Sequence, residues 1–289
     1  MQALLDGDLI AYRCAASCQS KGDVVHDFGI ACARADNLIK NIEDAVEAAG
    51  NRQIFLSGGE NFRKKIYPDY KANRTDQERP VYLEPLREWL VTEWGANVTD
   101  GIEADDAMGI AQTGGTIICS LDKDMLQVPG WHYQWEIQGT GSTGKKWLKE
   151  ASKTLVDPLQ GMFNFYWQLV MGDRADNVPG YDGKMRSTVP KFLEVHYENM
   201  QQLETEQELF NYVLEIYQLP ILQMLQHGAC LWIQRTEGEN WLQRGKQLLT
   251  NTPLERSITG EPGPLDDLIH SSLQLFVQGH DDGNPSMTP

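Results

Sequence analysis

Between residues 1 and 125 the chain alternates short apolar runs with segments of helical period, and this alternation narrows the fold more than any other feature. ALLD, at 3–6, reads as a strand that ends near Asp6 and runs through GDLIAYR into a helix. ADNLIKNIEDAVEAAG puts Leu38, Ile42, Ala45, Val46 and Ala49 on one stripe and closes on Gly50, a helix-stop signal. RQIFLS reads as a short strand, EPLREWLVTEW and EADDAMGIAQT as helices, and GTIICS as a strand that delivers SLDKD. Strands separated by helices must pair in parallel through crossovers, so the expectation is an α/β fold with a mainly parallel central sheet flanked by helices. Sites in such sheets gather beyond the carboxyl ends of the strands, where Asp6 and Asp122 both fall.

Further along, WHYQWEIQGTGSTGKKWLKE has the pattern of a hairpin around a Gly-rich turn, and DPLQGMFNFYWQLVMGD that of a helix running into GDRADNVPG. The pattern stays helical to about residue 230, with EQELFNYVLEIYQLPILQMLQHG interrupted at Pro220. The expected organisation is an α/β core over 1–170 with a basic connection at 60–80, a helical region over 171–256 and an acidic tail over 257–289, its residues 280–289 disordered. No apolar run approaches the roughly 18 residues of a membrane span. MQALLDGDLIAYR has no basic stretch before an apolar one, so it does not read as a signal peptide. A monomer in the cytoplasm, with no membrane contact, is expected. The five cysteines are odd in number and lack CxxC spacing, which fits reduced structural thiols. The six histidines form no zinc-like cluster with them.

The net charge of −16, from 25 basic and 41 acidic residues, argues at first against a nucleic-acid partner. Its distribution changes that reading. No Lys or Arg follows Arg256, and that tail holds five acids. Residues 63 to 79, in contrast, hold six basic residues against three acidic ones.

Four separate segments supply carboxylates beside apolar sequence: Asp6 and Asp8 in LLDGD, Glu103, Asp105 and Asp106 in GIEADDAMGIA, Asp122 and Asp124 in SLDKD, and Asp173 and Asp176 in MGDRADN. Glu103 and Asp106 are three apart and share a helix face, and Asp105 can reach round from the first turn. Acids at a helix start are also ordinary caps, favoured by the partial positive charge there. If the sheet gathers the four segments, like charges in a partly buried site repel unless hard cations bind. Oxygen ligands without His or Cys favour Mg²⁺ or Mn²⁺ over Zn²⁺. Two such ions about 4 Å apart would activate a water and stabilise the leaving oxygen of a phosphodiester.

DGD, YPDYKANR, EADD, SLDKD and GDRADNVPG, in this order, resemble the 5′-nuclease family of flap endonucleases and 5′–3′ exonucleases, most closely its free-standing bacteriophage type. The resemblance spans residues 4 to about 195, and GD-x-x-DN-x-PG is its most specific string. It implies a PIN-like nuclease core that cuts DNA at 5′ ends or flaps, in phage-infected host cytoplasm if phage-encoded. Asp6, Glu103, Asp105, Asp106, Asp122, Asp124, Asp173 and Asp176 match the metal-site acids, while Asp8 sits where the family varies. The catalytic set implied is Lys71 with Asp6, Asp106 and Asp122. Lys71 would lie in an arch past which the 5′ strand threads, its ammonium against the scissile phosphate. Tyr70 would stack on an unpaired base, and Arg74 and Arg63 would contact substrate. After GDRADN the family carries a helix-three-turn-helix unit that grips duplex backbone, often with a bound K⁺. Here VPGYDGKMRSTVPKFLE departs from the usual Gly-rich continuation, leaving Gly183 and Lys184 for phosphate contact. A second departure is Gly58, near the position of a further family Asp after IFLS, with Glu60 at the wrong offset to replace it.

Rival readings attach to the same strings. LLDGDLI carries the DxD of haloacid-dehalogenase-like phosphatases, with Asp6 as nucleophile and Asp8 as acid/base, but leaves EADD and SLDKD without work. GTGSTGKK matches P-loop spacing at Gly139, Gly144 and Lys145, yet Lys146 stands where Ser or Thr must meet Mg²⁺. A DNA-binding relative without catalysis rests on Gly58 alone. A PIN-type ribonuclease usually lacks the GDxxDN continuation.

Overall fold

A computed structural model of the protein describes residues 1–20, 23–74, 78–140 and 146–250. The expected tail over 257–289, the turn residues Gly144 and Lys145, and positions 75–77 of the basic connection lie outside the described residues. The helices are α1 (Gly7–Ala16), α2 (Phe28–Ala45), α3 (Arg63–Ile66), α4 (Leu83–Trp94), α5 (Ala104–Ala111), α6 (Pro158–Met171), α7 (Glu194–Met200), α8 (Glu206–Ile216), α9 (Ile221–Leu231) and α10 (Trp241–Thr250). The strands are β1 (Gln2–Asp6), β2 (Gln19–Ser20), β3 (Asp23–Val24), β4 (Arg52–Leu56), β5 (Asn97–Val98), β6 (Thr116–Cys119), β7 (Gly130–Gln134), β8 (Ile137–Thr140), β9 (Lys146–Lys149) and β10 (Ser152–Val156).

The chain divides into two compact units. The first comprises residues 1–58, 78–161 and 233–236. Its six-stranded sheet has the order β10-β7-β6-β1-β4-β5. Neighbours pair in parallel except β10, which runs antiparallel to β7 at one edge. The chain adds β4 on one side of β1 and later places β6 on the other, so the strand order reverses at β1. Such a switch point opens a crevice beyond the carboxyl ends of the two central strands.

Both faces of this sheet are covered, which is why its strands read as unbroken apolar runs. Leu5, Ile54, Leu56 and Ile117 pack in one cluster with Ile10, Ile39, Leu86 and Leu90 from α1, α2 and α4. Leu4, Phe55 and Ile118 face the other way onto Ala104 and Met108 of α5. A side chain of this size, fully buried, contributes about 1.5–3 kcal/mol, so this two-sided core fixes the strand ends from which the acids project. The helix that follows GIEADD thus enters the core, as its spacing predicts.

Two boundaries differ from the sequence reading. α2 begins at Phe28, where Asp27 accepts a hydrogen bond from the Ile30 amide at 3.1 Å, an N-cap outside the periodic stretch. It ends at Ala45, before Gly50, because Glu47 takes a left-handed conformation at φ 58°. The Gly-rich hairpin is present as β8 and β9. Since Gly139 lies in a strand and β9 is itself a strand, the strand-to-helix context of a P-loop is absent from the described residues here.

The second unit comprises 59–77, 162–232 and the chain from 237 onward. It is helical, as expected for the C-terminal half. Phe165 on α6 packs edge-on against Trp232 at 4.9 Å and lies 5.3 Å from Trp241. α8 starts on a capping box between Thr205 and Glu208 and ends at Ile216, and Pro220 stands at the N-cap of α9. The basic connection expected as part of the α/β core belongs with this second unit in its described residues, and the short return at 233–236 belongs with the first.

Candidate functional site

Asp6 ends β1 and caps α1, accepting a hydrogen bond from the Leu9 amide at 2.9 Å. Its other oxygen accepts from the Ser120 hydroxyl at 2.7 Å, which ties the end of β1 to the residue after β6. Ser120 Oγ also receives the Asp122 amide at 3.0 Å. The switch point therefore carries Asp6, Ser120 and Asp122 as one linked group. Asp6 is buried, and burial is the main cause that pushes its carboxyl up to about 6; the Ser120 and Leu9 hydrogen bonds act against this, and the negative charge of Asp122 adds to it. Asp122 is exposed and accepts from the Asp124 amide at 2.9 Å, opening a short 3₁₀ turn.

Asp106 is fully buried. One oxygen accepts from the Glu103 amide at 3.1 Å and the other from the Gln234 amide at 3.1 Å. Glu103 and Asp105 are half-buried at the start of α5. The ordinary capping role of acids at a helix start is thus real here, alongside any other. Gln234 comes from the 233–236 return, and its carbonyl lies where a Cβ on Gly109 would have to go. That residue was missed because nothing local in LWIQRTEG marks it.

Asp8 and Gly58 have other partners. Asp8 is ion-paired with Arg87 of α4 and accepts from the Ser57 amide at 2.8 Å. The Gly58 amide donates to Thr99 Oγ1 at 3.2 Å, and a Cβ there would run into the Thr99 carbonyl. An acid of the kind the family carries near this point has no room at Gly58. Glu60 is exposed and belongs to the second unit.

In the second unit, GDRADNVPG is a closed turn whose spacing follows from backbone contact. Gly172, at φ 71°, and Gly180 face each other so closely that a Cβ on either would meet main-chain atoms of the other. Asp173 and Val178 exchange two backbone hydrogen bonds of 2.7 and 2.8 Å. The buried Asp173 carboxylate accepts from the amides of Ala175 (2.7 Å) and Asp176 (3.0 Å) and from the Gln168 amide group (3.1 Å). YPDYKANR docks on this turn: Tyr70 donates to Asp176 at 2.9 Å and Arg74 at 2.6 Å, and the Lys71 ammonium lies 3.8 Å from the same carboxylate.

Two expected substrate contacts, Arg63 and Tyr70, need correction. Arg63 is only 2% exposed, and its guanidinium donates to the carbonyls of Cys230 (2.9 Å) and Trp232 (2.7 Å), so it holds the fold together. Tyr70 is likewise 2% exposed, and its ring is not open for a base to stack on. Arg74 keeps an exposed side chain while it pairs with Asp176 and donates to the Ala175 carbonyl at 3.0 Å. Lys184 is exposed on a turn, near Asp182 at 3.7 Å.

Among the described residues no three His, Cys, Asp or Glu side chains are gathered closely enough to form a ready metal cluster. The donor chemistry nevertheless fits a hard divalent cation. The acids offer oxygen alone, and Asp6 is a buried carboxylate under a like charge, a state that bound positive charge relieves.

Residues 1–151 match the family described as 5′–3′ exonuclease, N-terminal resolvase-like domain, and the chain belongs to that family. It is 27% identical over 203 residues to a 5′–3′ exonuclease of Buchnera aphidicola subsp. Schizaphis graminum, covering 63% of this chain and 64% of that one. It is 27% identical over 218 residues to a 5′–3′ exonuclease of Bacillus subtilis, covering 69% and 71%. With DNA polymerase I of Pseudomonas aeruginosa it shares 30% identity over 146 residues, 45% of this chain but 15% of the polymerase. The chain thus spans just under two thirds of the Buchnera relative's length and a small part of the polymerase's. In fold it is similar to the T5 D15 protein co-crystallised with metal ions, with a TM-score of 0.54 and 12% identity over 97% of this chain and 99% of that one.

Proposed function

We propose that the protein is a divalent-metal-dependent nuclease that hydrolyses DNA phosphodiesters at or near 5′ ends, as an exonuclease or on flaps. The observation that carries this reading is Asp6: a buried carboxylate at the switch point of a parallel sheet, linked through Ser120 to Asp122. The names of the relatives agree with it, as do the metal ions crystallised with the T5 D15 protein.

In this reading Asp6, Glu103, Asp105, Asp106, Asp122 and Asp124 of the first unit hold Mg²⁺ or Mn²⁺, and Asp173 is a further buried acid of the same kind within the second unit. When bound, such ions lower the pKa of water and stabilise the leaving oxygen. The chain's own residues set the rest. Ser120 fixes the orientation of Asp6, and the Gln234 and Glu103 amides fix Asp106. Lys71 supplies positive charge to the scissile phosphate. The exposed turn carrying Gly183 and Lys184 contacts phosphate further along the duplex, in the region where the family resemblance implies a K⁺. Asp8, engaged with Arg87 and Ser57, is a structural acid in this scheme and not the acid/base of a phosphatase.

The test is cleavage of a 5′-labelled flap and a blunt duplex with Mg²⁺ and with chelator. Metal-dependent release of short labelled products supports the reading, and their length separates end cutting from flap cutting. No metal-dependent cleavage of either DNA, or hydrolysis of a small phosphomonoester that Asp8→Asn abolishes, overturns it.

A further inference from the structure

The first amide of α5, the helix whose start carries three of the proposed cation-holding acids, is bonded to a residue at the end of β4. We infer that this residue, Ser57, is a positioning residue for Glu103, Asp105 and Asp106, and that the Asp8–Arg87 pair holds Ser57 in place; the inference rests on the nuclease reading above.

Asp6 and Phe55 are register partners on the parallel strands β1 and β4, so Ser57 stands two residues beyond the level of Asp6 at the same end of the sheet. Each polar group of Ser57 reaches a different helix. Its amide donates to Asp8 of α1 at 2.8 Å, and its carbonyl accepts from Arg87 Nη2 of α4. Asp8 and Arg87 are themselves ion-paired, which closes a ring of three residues. The Ser57 hydroxyl oxygen accepts the Ala104 amide at 3.0 Å. That amide is one of the four at a helix start that find no partner within the helix, and Ala104 is buried. Glu103 and Asp105 flank it directly in the chain, and Asp106 follows.

The glycine at 58 belongs to the same arrangement. The Thr99 amide donates to the Leu56 carbonyl at 2.8 Å, the Gly58 amide donates to Thr99 Oγ1 at 3.2 Å, and Thr99 Oγ1 donates to the Ile102 carbonyl at 2.6 Å. Residues 56–58 are thus laced to 99–104, the stretch that leads into α5. A Cβ at 58 would collide with the Thr99 carbonyl, so any side chain there pushes this stretch off the strand end. Glycine gives up one carboxylate and in exchange seats the three acids of α5. A brace serving stability alone would change the Tm and leave the cation affinity of the folded protein as it is. Positioning changes the affinity.

The experiment uses the full chain and compares wild type with Ser57→Ala, Ser57→Thr, Arg87→Met and Gly58→Asp. Hydrogen exchange of metal-free protein is expected to quicken roughly tenfold at the amides of 103–106 in Ser57→Ala, about threefold in Arg87→Met, and little in Ser57→Thr, which keeps the hydroxyl. Calorimetric Mn²⁺ affinity is expected to fall about tenfold in Ser57→Ala and to stay within about threefold of wild type in Ser57→Thr. Single-turnover DNA cleavage by Ser57→Ala is expected to drop about tenfold at limiting Mn²⁺ and to recover most of that loss at saturating Mn²⁺, because every acid is still present. Gly58→Asp returns a carboxylate to the strand end and is nevertheless expected to weaken Mn²⁺ binding about fivefold. Unchanged Mn²⁺ affinity in folded Ser57→Ala, exchange that quickens across the whole first unit and not at 103–106, or tighter Mn²⁺ binding in Gly58→Asp overturns the inference. If Ser57→Ala does not fold, exchange in Arg87→Met and Mn²⁺ titration of Gly58→Asp decide by the same criteria. Failure of wild type to cleave DNA with Mn²⁺ defeats the nuclease reading instead, and the exchange pattern still decides whether Ser57 holds the start of α5.

Discussion

At the carboxyl end of β1, Asp6 is buried with a hydroxyl and an amide for partners and the charge of Asp122 pressing on it. In the turn after α6, Asp176 is half-buried with Arg74 and Lys71 drawn up to it. The two carboxylates come from motifs of similar appearance, yet Asp6 has another negative charge beside it and Asp176 has cations of the chain beside it. The difference teaches that a string of acids does not define a metal site by itself. What surrounds each oxygen decides.

The sharpest way to break this comparison is to neutralise Asp6. Asp6→Asn is expected to reduce metal-dependent DNA cleavage at least about a thousandfold, larger than the loss in Asp176→Asn. Equal losses in single-turnover assays would erase the distinction between the two groups.

Next comes Arg63, which resembles Arg74 in the sequence and opposes it in the fold. Arg63→Met strips two buried carbonyls of their donor and is expected to destabilise the protein by roughly 2–5 kcal/mol in urea unfolding. The DNA affinity of its folded fraction should not change. Weakened DNA binding with full stability would restore Arg63 as a substrate contact.

A pH test then addresses Asp6 directly. Its carboxyl, near 3.8 in an unfolded chain, is raised to about 6 when folded, so the folded metal-free protein binds the extra proton between those values. The resulting stabilisation is present at the acid end and is lost as pH rises through 6, by at most about 3 kcal/mol. Asp6→Asn should therefore raise the Tm of metal-free protein by several degrees at pH 8 and by little at pH 4.5. The wild type should bind Mn²⁺ more tightly as pH passes 6. A Tm difference that is independent of pH counts against this account.

Gly180→Ala forces a Cβ into the main chain at 170–172 and is expected to cost about 1–3 kcal/mol, read as a lower Tm. The smallest effect is reserved for Asp8→Asn, which keeps the acceptor for Ser57 and weakens the half-exposed pair with Arg87. It is expected to change activity less than about tenfold and stability by about 1 kcal/mol.

Much of the scaffold was legible because apolar period is a local property. The parallel strands, the helix after GIEADD and the break at Pro220 all follow from neighbours a few positions apart. The placement of Asp6 and Asp122 beyond the carboxyl ends of strands followed from the strand–helix alternation. Partners of the site acids were not legible. Ser120, Gln168 and Gln234 are polar residues in otherwise apolar surroundings, a signal that marks burial without naming the acid they serve. Tyr70 and Arg63 were misread for a related reason: a basic, aromatic stretch has the same composition whether it faces solvent or packs inward.

The left-handed main chain at Lys71, at φ 56°, has a bearing on engineering. A selection for heat tolerance alone would favour glycine or asparagine at that position, since either relaxes the residue without disturbing its amide bond to Asp176. On the role proposed for Lys71, variants so obtained would survive warming and cut poorly, and the conflict between endurance and turnover would be traceable to one peptide unit.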